Sequence, residues 1–134
     1  MILDAKAVFS DAQAETSVAA QDSTNVVDTA LADSNLGGGT PIWVNAVVNT
    51  TCTSSGAATL SVALHESADA STYVVLWTSK VFAKAALVAG KVLMSIPLPS
   101  EHARYLKVVY TIGASVLTAG KFDAWMGNEA VYTH

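Results

Sequence analysis

Apolar and polar residues alternate with a period of two along most of this 134-residue chain. That period matches the pleat of a β-strand, where successive side chains point to opposite faces. Residues 58–66 carry the clearest case. Ala58, Leu60, Val62 and Leu64 fall on one face, while Thr59, Ser61, Ala63 and His65 fall on the other. Residues 42–50 repeat the pattern, with Ile42, Val44, Ala46 and Val48 opposite Trp43, Asn45, Val47 and Asn49. In residues 104–112 both faces are partly apolar, which predicts a more central strand. Residues 120–127 set Phe122, Ala124 and Met126 against Lys121, Asp123 and Trp125.

Breakers separate these runs. Gly37-Gly38-Gly39-Thr40-Pro41 is the strongest, and Ser54-Ser55-Gly56 reads as a hairpin connection. Ser67-Ala68-Asp69-Ala70-Ser71 leads into a strand over 73–78. Ala89-Gly90-Lys91 precedes a run from Val92 to Ile96, which Pro97-Leu98-Pro99 ends because proline donates nothing to a ladder. Gly113 and Gly120 bracket another short connection. Short strands at this spacing, with glycine and proline turns, predict an all-β sandwich or barrel. The N-terminal stretch admits two readings. Ser10-Asp11-Ala12-Gln13 has the form of a helix capping box, but alternation from Ala12 to Ala20 favours a strand. A short strand is expected over 25–28 and a loop over 31–40. The chain reads as one domain over residues 1–134, without internal repeats.

Charge narrows the function. Only 13% of residues are charged, with a net charge of −4, against about 25% charged residues in an ordinary globular domain. Apolar residues reach 51%, which excludes intrinsic disorder. Seven scattered Lys and Arg residues form no basic stripe that could displace counterions from duplex phosphates. Neither a nucleic-acid partner nor a membrane surface is expected, and no apolar run approaches the roughly 20 residues of a membrane span. The single cysteine, Cys52, excludes an intramolecular disulfide. Met1-Ile2-Leu3-Asp4 lacks the basic and long apolar regions of a signal peptide.

Reactive constellations are equally scarce. Cys52 reads as a small core residue. His65, His102 and His134 lack metal-ligand spacing and read as surface residues. Gly37-Gly38-Gly39 is followed by Thr40-Pro41, which lacks the Lys-Ser/Thr of a phosphate loop. Asp69 lacks the companion oxygens of a calcium loop and reads as a turn former. No catalytic triad can be nominated, so no enzyme is expected. Trp43 and Trp125 fall on the faces assigned as polar. They suit a sugar-stacking platform or a protein interface, unless both sheet faces are covered. The low charge favours protein contact, because interface cores are poor in charge and rich in aromatics.

Several segments stand in order: Met1-Ile2-Leu3-Asp4, Phe9-Ser10-Asp11-Ala12-Gln13-Ala14, Asn25-Val26-Val27-Asp28 and Gly39-Thr40-Pro41-Ile42. Leu87-Val88-Ala89-Gly90, Ile96-Pro97-Leu98-Pro99, Arg104-Tyr105-Leu106 and Thr118-Ala119-Gly120-Lys121 follow. In that order they resemble the tailed-phage capsid cement proteins, also called decoration or head-stabilising proteins, known from the head of a short-tailed Bordetella phage. Each motif alone is weak, while their order spans about residues 1–125. The tail from Gly127 to His134 matches least.

The resemblance implies a jelly-roll β-sandwich of two antiparallel sheets. It implies a viral structural protein, made in the bacterial cytoplasm, that forms a homo-oligomer (dimer or trimer) on the outer surface of the phage head. It would bridge neighbouring copies of the phage major capsid protein in an HK97-type shell, against the pressure of packaged DNA. No cofactor, metal or catalysis is implied. Ile2, Leu3, Val8 and Phe9 form an apolar set, read either as an N-terminal arm (residues 1–10) or as a segment that closes one sheet. With Trp43 and Trp125 they are the candidate protein-interface residues. The competing functions are a carbohydrate-binding β-sandwich module, which would make host glycans a partner, and a small tail or neck subunit.

Overall fold

The computed structural model describes residues 7–15, 17–29, 41–99 and 101–131. Among the described residues ten strands follow one another: β1 (Val8–Ala14), β2 (Ala20–Asp22), β3 (Val27–Asp28), β4 (Trp43–Thr53), β5 (Thr59–Ser67), β6 (Val74–Thr78), β7 (Phe82–Ala83), β8 (Val92–Pro97), β9 (Tyr105–Gly113) and β10 (Ala119–Gly127). A 3-10 turn, Lys84–Ala86, precedes β8.

These strands make two antiparallel sheets that pack face to face. The first runs β1-β10-β4-β8, and the second β2-β9-β5-β6. In the second sheet β3 also pairs with β9, and β7 with β5. Each of these short pairs therefore acts as one broken strand. The antiparallel partners are then nested: β1 with β10, β2 and β3 with β9, β4 with β8, and β5 with β6 and β7. A long hairpin wound over itself in this way is the jelly roll, so the expected fold class holds.

The alternating positions account for the core. Leu60, Val62 and Leu64 of β5, and Leu106, Val108, Tyr110 and Ile112 of β9, are buried from the second sheet. Val44, Ala46 and Val48 of β4, with Phe122 and Ala124 of β10, meet them from the first. The Tyr110 and Phe122 rings stack at a centroid distance of 5.1 Å. The central position expected for residues 104–112 is observed, since β9 lies between β2 and β5.

Three expectations need correction. Ser54-Ser55-Gly56 makes no hairpin, because β4 and β5 belong to different sheets. This connection crosses the sandwich, where Ser54 Oγ donates to the Val116 carbonyl (2.6 Å). The N-terminal strand exists but begins earlier, at Val8, and stops at Ala14. Its regular alternation is broken by register shifts against β10 and by a left-handed Ala12 (φ 49°). The Ser10–Gln13 pair caps no helix: the Ser10 hydroxyl donates to Gln13 Oε1 (2.7 Å) within the strand. Finally, His102 is buried rather than exposed. Its segment is tied to β5 through the Ala103 amide, which donates to Glu66 Oε2 (2.8 Å).

Candidate functional site

Directly opposed residues of an antiparallel pair share a face. The register therefore lays out the outer face of the β1-β10-β4-β8 sheet row by row. Val8 lies opposite Trp125, Trp125 opposite Asn45, and Asn45 opposite Ser95. The next row holds Gly127, Trp43 and Pro97. Val8, Trp125 and Trp43 are thus brought together on the side away from the core, with the two indoles diagonal across β10 and β4. All three side chains are half-buried.

The residues that follow β10 provide part of that cover. Asn45 Nδ2 donates to the Glu129 carbonyl (3.0 Å), Ser95 Oγ donates to Asn45 Oδ1 (2.8 Å), and the Val131 amide donates to Ser95 Oγ (3.1 Å). This chain of bonds straps residues 128–131 across β4 and β8 and leaves Asn45 fully buried. Trp43 remains at the edge of the strap. It lines a hollow of about 360 Å³ with Asn128, Glu129 and Ala130. The Trp125 Nε1 atom is buried and has no hydrogen-bond partner among the described residues.

Phe9 is not on this surface. Its side chain is wholly buried in the core, which corrects its assignment as an interface residue. Neighbouring Ser10 is also turned inward and accepts a hydrogen bond from the Tyr110 hydroxyl (3.1 Å). Val8 and Phe9 belong to β1, which closes the edge of the sheet against β10. Ile2 and Leu3 lie outside the described residues.

The polar residues weighed for chemistry occupy ordinary structural places. Cys52 is buried, and burial raises its thiol pKa to about 11, far from a reactive thiolate. Asp69 Oδ1 accepts from the Ser71 and Thr72 amides (2.9 Å each). Those bonds, Thr72 first, hold its carboxyl below the ordinary value. His65 is half-buried on the outer face of the second sheet, where burial and then the Lys107 charge lower its pKa. Among the described residues no three His, Cys, Asp or Glu side chains converge as metal ligands. No described helix is long and apolar enough to cross a membrane.

The structure also groups residues that sequence spacing leaves apart. Lys80 and Lys91 both lie over the Phe82 ring, at 5.3 and 6.0 Å from its centroid. Lys84 Nζ donates to the Ser54 carbonyl (3.0 Å). No sequence pattern marks this cluster, because β7 and β8 belong to different sheets.

The family model described as Bbp16 matches residues 9–126. No curated protein matches the chain.

Proposed function

The chain belongs to the Bbp16 family, and we propose that it serves as a cement protein on the outside of a phage head. The family name suggests a Bordetella phage protein. In this reading the chain binds across neighbouring major capsid subunits of an HK97-type shell, as a small oligomer, and stiffens the shell against packaged DNA. The observation that carries the reading is the match to residues 9–126 on a double-sheet jelly roll.

The physical character of the molecule supports an adhesive role. Its charge density is low, and half-buried indoles lie on one sheet face. Modest contacts suffice when an oligomer grips several subunits at once, because the later contacts form at high effective concentration.

Co-sedimentation with heads of the corresponding phage tests the proposal. Saturable binding to expanded heads, at a fixed ratio to the major capsid protein and weaker on compact precursors, is the expected result. Absence of binding to either form overturns it. A second reading, carbohydrate binding, draws on Trp43 beside the hollow formed with Asn128 and Glu129. It predicts glycan binding by the isolated chain that disappears in Trp43→Ala.

A further inference from the structure

The two ends of the sandwich differ sharply in charge. One end gathers the β4–β5, β7–β8 and β9–β10 connections, bound to one another by the Ser54 bonds to Val116 and Lys84 and by the Ala89 amide, which donates to Thr51 Oγ1 (2.9 Å). The β1–β2 connection joins them where the Ile112 amide donates to the Ala19 carbonyl (3.1 Å). The tips of these loops expose Val18, Val88 and Val116 at 51%, 50% and 48%.

Three lysines lie on the β7–β8 side of this end. Lys80 and Lys91 flank Phe82, and Lys84 lines a hollow of about 450 Å³ formed by residues 56–59 and 83–85. The ion pairs among the described residues are Arg104–Asp28 and Lys107–Asp22, so these three lysines carry unpaired charge. Glu15, the acid nearest these loops in sequence, is buried. The opposite end carries Asp69, Glu101 and Glu129, beside the Arg104–Asp28 ion pair. Among the described residues the sandwich therefore has a basic, apolar end and an acidic one.

We propose that the basic loop end is the docking face, and that it seats on a folded protein surface bearing carboxylates around an apolar centre. The inference rests on the cement reading and names the face that meets the shell. Charge complementarity selects the acidic partner: Lys80, Lys84 and Lys91 attract carboxylates, while Val88 and Val116 are left to pack against apolar side chains. Opposed potentials steer encounter and set orientation, and the acidic end is thereby directed outward. The outer face of the β1-β10-β4-β8 sheet is less available, because residues 128–131 already strap it. An anionic lipid surface fits less well. Polybasic lipid sites use clusters of about 4–8 basic residues, and the exposed apolar side chains here are short valines rather than interfacial aromatics.

The test is co-sedimentation with expanded heads, comparing the unmodified chain with Lys84→Glu/Lys91→Glu. The double variant is expected to bind roughly tenfold or more weakly, since like charges replace complementary ones, and rising salt is expected to weaken the unmodified chain. A second measurement avoids charge reversal. Val116→Cys and Asp69→Cys are each labelled with a bulky maleimide, to which buried Cys52 is inert, and folding is checked by thermal unfolding. The label at Val116 is expected to block binding, and the label at Asp69 to leave it intact. If the unmodified chain binds no heads, the cement reading fails. If it binds heads and neither the charge reversal nor the Val116 label weakens it, the docking face is wrong. Tighter binding to phosphatidylserine vesicles than to heads, or loss of self-association alone in the lysine variant, also overturns the proposal.

Discussion

A methyl group at Gly120 would sit 2.6 Å from the Cys52 sulfur and 3.4 Å from the Cys52 Cα. The backbone there has φ 148°, a conformation that L side chains rarely adopt. Two separate penalties, a clash and backbone strain, thus act on one atom. Gly120→Ala is expected to lower unfolding free energy by roughly 2–3 kcal/mol, the scale of an overpacked core position. Cys52→Ala removes the sulfur but not the strain. The double variant should therefore lose less than the sum of the two single losses, a coupling that denaturant titration measures. Tyr110 presents a gentler case. Its ring is core, and its hydroxyl donates to the buried Ser10 hydroxyl (3.1 Å). Burial, the largest cause, raises its pKa, so it stays a donor throughout the working pH range. Tyr110→Phe keeps the stack on Phe122 and is expected to cost about 1 kcal/mol, an ordinary hydrogen bond.

Strands β5 and β9 are legible in the sequence because one face of each is apolar at nearly every alternate position. A one-residue slip would turn that whole set to solvent. The β4–β5 connection was not legible, because Ser-Ser-Gly serves a hairpin and a sheet crossing equally well. The choice depends on which sheet Leu60 and Val62 must cover, and that is a tertiary fact. The same divide runs through the candidate site. Trp43 and Trp125 could be placed on the outward face by counting, whereas the strap over residues 128–131 could not. It depends on Asn45 and Ser95, which alternate like exposed polar residues and are instead tied to the Glu129 carbonyl and the Val131 amide. Asn45→Ala removes a buried amide that both donates and accepts, and should cost roughly 1–3 kcal/mol by leaving partners unsatisfied. Hydrogen exchange is expected to accelerate at Val131, with the amides of β9 unchanged. Equal protection at Val131 in both proteins would show that the strap is held by other contacts.

Across the whole molecule, charge is sparse enough that individual titrations shape stability. His65 faces Lys107 on β9 and Val75 on β6, with Asp22 of β2 nearby. Burial first, and the Lys107 charge second, lower its pKa from the ordinary 6.5, against a smaller opposing pull from Asp22. A lowered folded pKa means that the unfolded chain binds the proton more readily, so protonation favours unfolding. The contribution of His65 is therefore fully present above pH 6.5 and is lost as pH falls through the folded value. Glu15 has the opposite sign. Burial first, opposed by the Gln13 hydrogen bond and aided by the Asp22 charge, raises its pKa above 4.5. Its stabilising contribution is present below 4.5 and is lost as pH rises through the folded value. At neutral pH the buried carboxylate is thus a net penalty, and Glu15→Gln, which mimics the protonated form, is expected to raise stability there. His65→Asn should instead flatten the decline in urea midpoint between pH 7.5 and pH 5.5 that the unmodified chain shows. A decline of the same steepness in His65→Asn would transfer the effect to another group. The Glu15→Gln comparison at pH 7.5 separates the two residues, because His65 is already neutral there in both folded and unfolded chains.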